Sequence, residues 1–239
     1  MSDAGVAVVV SPHLDDAVLS RWSVLTQERE VLVLNVFTGD PDPAVPRPWD
    51  ELTGATDPVV RQAERREEDR AALRLAGRTG VGLGVRPPAT AHAAAHVGEL
   101  LAAAVPAGSE LHLPAGIGGH AAHVLVRDTG LALRRRAAGT LLYADVPYAT
   151  RYGWPGWVTG DPPDPFLRPD AAWKRDVASA PLGGAGMTPV VARLDAGQAE
   201  RKLAAVRCYR TQLAALEEGP VGRVSHPRLR GFELAWRLS

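Results

Sequence analysis

Apolar residues along this chain gather in two kinds of segment. Residues 6–10 are a short, mostly β-branched run with no polar interruption, ending at Ser11-Pro12; such a run predicts a strand buried on both faces. Residues 31–37 repeat the pattern and close on Thr38-Gly39-Asp40. Between them, residues 17–27 predict a helix with Asp15 and Asp16 at its start, where acidic groups suit the positive end of the helix dipole. Over residues 59–76 charged positions alternate with Ala and Leu at helical spacing, and Gly77 is placed to cap the end. Further along, the pattern predicts strands at 81–85, 111–113 and 140–144, and helices at 93–104 and 122–137.

Strand and helix thus alternate over residues 6–144. That order implies parallel strands joined by right-handed crossovers. The expected fold class is α/β: a Rossmann-like three-layer domain with a mostly parallel sheet, read as a single domain over 1–239. Two stretches lack periodicity. Residues 40–58 are rich in Pro and Asp and predict a long loop, a feature that in compact domains is often functional. Residues 149–189 hold Trp154, Trp157, Trp173 and a Gly183-Gly184-Ala185-Gly186 run, and predict an irregular excursion off the sheet. A late strand at 190–194, one strong helix at 196–216 and a short end piece at 231–238 complete the chain.

Composition narrows the function classes. With 46% hydrophobic and 23% charged residues among 239, the chain can build a sizeable core. Its 27 basic and 27 acidic residues balance, so nothing points to a nucleic acid or an anionic membrane as partner. Cys208 is the single cysteine, which excludes an internal disulfide and fits a reducing compartment. The first residues lack a basic region and a long apolar run, so the expectation is a cytoplasmic chain without a signal peptide.

The chemistry gathers in two clusters. His13-Leu14-Asp15-Asp16 directly follows the first predicted strand, and His120-Ala121-Ala122-His123 follows a later one. In open α/β sheets ligands bind at the carboxyl ends of the strands. Two histidines and a carboxylate around an open position are the usual plan of a catalytic zinc site. A carboxylate outside the ligand set can then take a proton from water, and the neighbours Asp15 and Asp16 divide between these two jobs. The bland alternative is a Pro-His-x-Asp-Asp turn that merely caps a helix.

Residues 11–20, Ser-Pro-His-Leu-Asp-Asp-Ala-Val-Leu-Ser, resemble the first motif of the PIG-L/LmbE-like zinc-dependent N-acetylglucosaminyl deacetylases. Gly119-His120-Ala121-Ala122-His123 resembles their second motif, and Arg65-x-x-Glu68-x-x-x-Ala72-x-x-x-Ala76-Gly77 their intervening helix. Tyr143-x-x-x-Pro147-Tyr148 and Lys202-x-x-Ala205-x-x-x-Tyr209-x-x-Gln212 are similar to later, looser motifs. The resemblance runs from about residue 6 to residue 236. It implies one Zn²⁺ per chain, although another divalent metal would satisfy the same donors, and hydrolysis of an N-acyl group from a small-molecule substrate. His13, Asp16 and His123 match the metal ligands. Asp15 matches the general base, His120 the histidine that stabilises the oxyanion or protonates the leaving amine, and Arg65 falls near a substrate-contacting arginine.

Two positions depart from the pattern. Ala17 stands where many relatives carry an acidic residue, and Ala122 where a second-motif Asp would tune a neighbouring histidine. The protonation state of His120 therefore stays open. So does the class of protein: an amidase on a non-sugar conjugate, or a non-catalytic metal- or nucleotide-binding domain, would carry much of the same sequence. Elsewhere the charge run 65–69 suits a solvated helix face, Trp49, Trp154 and Trp157 suit either a binding mouth or loop packing, and Cys208 suits a buried small position. Arg134–Arg136 suits the end of a helix. His92, His96, His112 and His226 have no metal-like neighbours. Oligomeric state and substrate identity are not written in these patterns.

Overall fold

The computed structural model describes residues 5–45, 47–90, 92–218 and 224–239; residues 1–4, part of the expectation about a signal peptide, lie outside them. β1 (Ala7–Ser11) leads through α1 (Asp16–Leu25) to β2 (Val31–Asn35). There follow α2 (Pro48–Leu52), α3 (Pro58–Arg74), β3 (Gly80–Gly82), α4 (Ala93–Ala104), β4 (Glu110–Pro114), α5 (Ala121–Leu131) and β5 (Gly139–Tyr143). The last third holds α6 (Gly156–Thr159), α7 (Pro169–Ala178), β6 (Met187–Arg193), α8 (Ala196–Val206), α9 (Arg210–Glu218), α10 (Pro227–Arg230) and β7 (Phe232–Leu238).

The strands form one seven-stranded sheet in the order β3-β2-β1-β4-β5-β7-β6. β1 through β5 pair in parallel, with Ala7 opposite both Val31 and Glu110. Val8, Val9 and Val10 are fully buried, as are Val33, Leu111 and Leu113, so the uninterrupted apolar runs are strands covered on both faces. α4 and α5 pack on each other, and α1 packs on α8, giving the expected three-layer α/β architecture.

Several local expectations are corrected. The 40–58 loop contains the short helix α2, entered through Pro48, where a missing N–H costs nothing. The excursion at 149–189 contains α7, ten residues long. It is packed rather than loose: Trp154 stacks edge-on against Trp173, which does the same against Trp236 of β7. The single helix expected at 196–216 is broken between α8 and α9. The end piece becomes β7, inserted antiparallel between β5 and β6. The Arg134–Arg136 segment is a separate 3₁₀ turn after α5, and Arg134 and Arg136 donate to the carbonyls of Leu182, Ser239 and Ala102. Among the described residues no helix is long and apolar enough to cross a membrane.

One buried ion pair ties the C-terminal strand to α1. The helix breaks at Arg21, whose φ of −135° is non-helical. The break frees the amides of Trp22 and Ser23, and both donate to the Glu233 carboxylate of β7 at 2.8 and 3.0 Å. Lys202 of α8 donates to the same carboxylate at 2.7 Å, and both side chains are buried. Against the burial that would raise it, Lys202 and Arg21 hold the Glu233 carboxyl below its ordinary value. Its contribution to stability is then complete above the unfolded carboxyl value of about 4.3 and is lost as the pH falls further. Glu233→Gln should cost about 3–5 kcal/mol at pH 7, because it strands a buried ammonium. The deficit should shrink below pH 4. Urea unfolding at both pH values checks this, and an unchanged midpoint at pH 7 would remove Glu233 from any stabilising role.

Candidate metal centre

β1 and β4 are neighbours, and the chain proceeds from them toward opposite edges of the sheet, β1 to β2 and β4 to β5. A crevice opens at the carboxyl ends of strands at such a switch point. Both sequence clusters lie there, His13 two residues beyond β1 and His120 six beyond β4.

Ser11 shapes the first cluster. Its hydroxyl donates to the His13 carbonyl at 2.7 Å and accepts the Ala17 amide at 3.0 Å. Asp15 holds the N-cap position of α1, yet its side chain makes no capping bond. Ser11 thus satisfies a helix-end amide that Asp15 would otherwise take, and the half-buried Asp15 carboxylate faces the pocket. Asp16, buried, accepts the backbone amide of His13 at 2.8 Å. Burial and the adjacent Asp16 push the Asp15 carboxyl up to about 7, with Arg65 opposing.

The second cluster follows a glycine turn. Gly118 has φ +87°, and a Cβ there would sit 2.9 Å from the Cβ and Cδ1 of Tyr148. The turn delivers His120 to the pocket mouth, exposed, and His123 to the interior, fully buried. Desolvation, followed by the neighbouring His13 and His123, pushes His120 down to about 3.

The donor atoms of His13, Asp16 and His123 converge. His13 Nδ1 lies 3.2 Å from Asp16 Oδ2 and 3.2 Å from His123 Nε2, and His123 Nε2 lies 3.4 Å from Asp16 Oδ1. An ion with bonds of about 2.0–2.1 Å in tetrahedral geometry spaces its ligands about 3.3–3.4 Å apart. The two histidine nitrogens are close to that spacing from each other, and each lies near one oxygen of the Asp16 carboxylate, so the donor types fit zinc. His13, His120 and His123 form an alternative, with donor atoms within 4.8 Å of one another. The set with Asp16 differs from it in carrying a negative charge. His123 is also held from behind: Asp145, just past β5 and fully buried, lies 2.7 Å from His123 Nδ1 and accepts the Ile117 amide at 2.8 Å. In the sequence Asp145 falls at an unspecified position of the Tyr143-x-x-x-Pro147-Tyr148 pattern, two residues past a strand.

The centre opens into a cavity of about 550 Å³. Arg65 is on its wall, and its Nη2 donates to buried Asp50 at 2.9 Å, which also faces Arg47 at 3.2 Å. Trp49 donates to Gln212 of α9, so the loop carrying α2 is fastened across the pocket. Tyr209 donates to Asp69 at 2.9 Å beneath it. Burial pushes Asp69 up to about 7, although Tyr209 and Asn35 both donate to it and pull the other way.

Other sequence readings divide. The 65–69 run is not a solvated face: Glu68 and Asp69 are buried, and Glu68 accepts the amide and hydroxyl of Thr211. Of the three tryptophans weighed for a binding mouth, Trp49 lines the cavity, Trp154 is buried with its indole donating to the Leu229 carbonyl, and Trp157 stands exposed away from it. Cys208 is half-buried rather than buried. His112 is a core residue between Arg21 and Glu110.

No protein-family model matches this chain, and no curated protein matches it. Solved structures do. A deacetylase triple mutant from the teicoplanin biosynthetic pathway aligns over 98% of both chains with a TM-score of 0.72 at 22% identity. The A40926 pseudoaglycone deacetylase Dbv21 aligns over 99% of this chain and 97% of its own, with a TM-score of 0.68 at 24% identity. The zinc-inhibited form of teicoplanin deacetylase Orf2 covers 98% of each chain, with a TM-score of 0.69 at 21% identity. The chain has the fold of these deacetylases over nearly its whole length.

The turn before His120 has little freedom. Gly118→Ala would force an L-residue to positive φ and press a methyl into Tyr148. A loss of about 1–3 kcal/mol is expected, read as a lowered melting temperature. A variant as stable as the parent would show that Tyr148 and the turn can part at no cost.

Proposed function

We propose that this protein is a zinc-dependent amide hydrolase that removes an acyl group, acetyl in the simplest case, from an amino sugar or a glycosylated natural product. The observation that carries this is the convergence of two imidazoles on the Asp16 carboxylate, with an uncommitted carboxylate, Asp15, beside them in an open pocket. The shared fold with the deacetylases supports it. In fold terms the same scaffold could serve other chemistry, so the site bears the weight.

In this proposal His13, Asp16 and His123 hold the ion. Zinc bound there would polarise the acyl carbonyl and lower the pKa of water toward ~7. Asp15, free of capping duty, takes a proton from the attacking water and returns it to the nitrogen as the C–N bond breaks. His120, across the pocket mouth, offers an N–H to the carbonyl oxygen as it gains negative charge. Arg65, steadied by Asp50, contacts the substrate from the wall. Residues 1–239 act as one catalytic domain. The free thiol of Cys208 supports a cytoplasmic location.

The pocket wall favours a substrate with an apolar body. Phe37, Trp49, Leu52, Pro87, Pro88 and Leu216 line it, and apolar walls with few polar groups are the rule for small-molecule sites. This leaves room for a non-sugar amide conjugate as the alternative substrate. A screen of N-acyl compounds with free-amine detection separates the classes; no turnover on any of them would leave a binding domain.

Two outcomes test the assignments. His13→Ala, Asp16→Ala and His123→Ala should each lose most bound zinc by elemental analysis, since three protein ligands leave little redundancy. Near-full occupancy in all three would sink the site. Asp15→Asn should keep its zinc and lose kcat by ~10²-fold or more. If Asp15→Asn lost the metal while Asp16→Asn kept it, the two roles are reversed.

A further inference from the structure

Asp145 is a fully buried carboxylate at this centre that neither faces the pocket nor joins the donor set, and both its oxygens are engaged. Oδ1 lies 2.7 Å from His123 Nδ1, and Oδ2 accepts the Ile117 amide at 2.8 Å. Ile117 belongs to the turn that delivers His120. The backbone around Asp145 is fastened too. Its carbonyl accepts the Ala149 amide at 2.7 Å, and the next amide, Val146, donates to Ser20 Oγ at 3.1 Å. Ser20 lies on α1, the helix that opens with Asp16. The end of β5 therefore brackets the two clusters to each other, and Ala122, beside His123 in sequence, offers no carboxylate for the task.

We propose that Asp145 is the positioning residue of this centre: it holds the proton of His123 on Nδ1, so that Nε2 presents its lone pair to the donor cluster. This rests on the metal-binding reading above. The chemistry follows from counting donors and acceptors. An amide N–H can only donate, so Oδ2 is committed to Ile117 as acceptor. Nδ1 faces Asp145 Oδ1 at 2.7 Å, and a neutral imidazole that keeps its one proton there, donating it to the carboxylate, has its lone pair on Nε2. That leaves Nε2, 3.2 Å from His13 Nδ1 and 3.4 Å from Asp16 Oδ1, as the ligand atom. Partners that donate or accept behind a metal-bound imidazole fix its tautomer and orientation.

Asp145→Asn keeps the shape and removes one acceptor. If its oxygen stays on Ile117, its NH₂ faces Nδ1 and drives the ring proton to Nε2, into the donor cluster. If the amide turns over, it confronts the Ile117 N–H with a donor. Zinc affinity, measured by competition with a chromophoric chelator on protein with parent-like circular dichroism, should fall about 10- to 100-fold. In zinc-loaded protein labelled with ¹⁵N-histidine, long-range ¹⁵N–¹H spectra should place the His123 proton on Nδ1, with a downfield resonance absent from Asp145→Asn. Parent-like zinc affinity in Asp145→Asn, or a parent His123 without a proton on Nδ1, overturns the proposal. The spectrum of the parent decides even if the variant misfolds. A parent that binds zinc with Nδ1 protonated but cleaves no N-acyl compound would sink the hydrolase reading and leave the role of Asp145 standing.

Discussion

Two imidazoles and a carboxylate do not converge within 3.4 Å of one another unless each is pinned from outside. Left alone, their lone pairs repel and water solvates each group separately. Here each pin comes from the end of a strand. The Ser11 hydroxyl at the end of β1 holds the His13 carbonyl, the His13 amide holds Asp16, and Asp145 beyond β5 holds His123. β1 pairs in parallel with β2 and β4, and β5 with β4, and the ends of both strands are buried, so shifting them would disturb the sheet itself. Everything else in the molecule can be understood as keeping those ends where they are.

The charge balance at this end of the sheet is acidic. Asp15, Asp16, Asp69 and Asp145 lie close together with little water. His123 and His13 draw Asp16 down despite its burial, whereas Asp15, Asp69 and Asp145 are all pushed up. Arg65 and Arg47 are permanent cations on the pocket wall, and both face Asp50. Carboxylates gathered in low dielectric raise one another's cost unless a cation joins them. A divalent ion beside Asp16 and the two histidines would relieve that cost.

The remote part of the chain works toward the same end. β7 enters between β5 and β6, and its Glu233 caps the break in α1 while Lys202 neutralises it. Ser20, one residue before the break, accepts the Val146 amide, so α1 is tied to the residue that follows Asp145. The tryptophan chain from Trp154 through Trp173 to Trp236 then lays the excursion against the sheet. The C-terminal segment, which showed only an end piece in the residue pattern, is what locks the helix that opens with a donor to the strand that orients another.

What the linear chain decided by itself is local. Uninterrupted β-branched runs can only be buried strands, alternation of strand and helix imposes parallel pairing, and a histidine or paired aspartates just past a strand end must stand at the rim of the sheet. The fold class of residues 6–144 and the places of His13, Asp15, Asp16, His120 and His123 follow from those rules, because each depends on neighbours within a few residues. Tertiary structure decided the rest. Glu68 and Asp69 look like a solvated charge run until α9 supplies Thr211 and Tyr209 as donors. The apolar pattern of 231–238 does not say which strand it joins. Asp145 is only an unspecified position in its motif, since its value lies in an imidazole 22 residues away and an amide 28 residues away. Periodicity reports the face a residue turns to the core; which donor meets which acceptor across the sheet is settled only when the strands take their order.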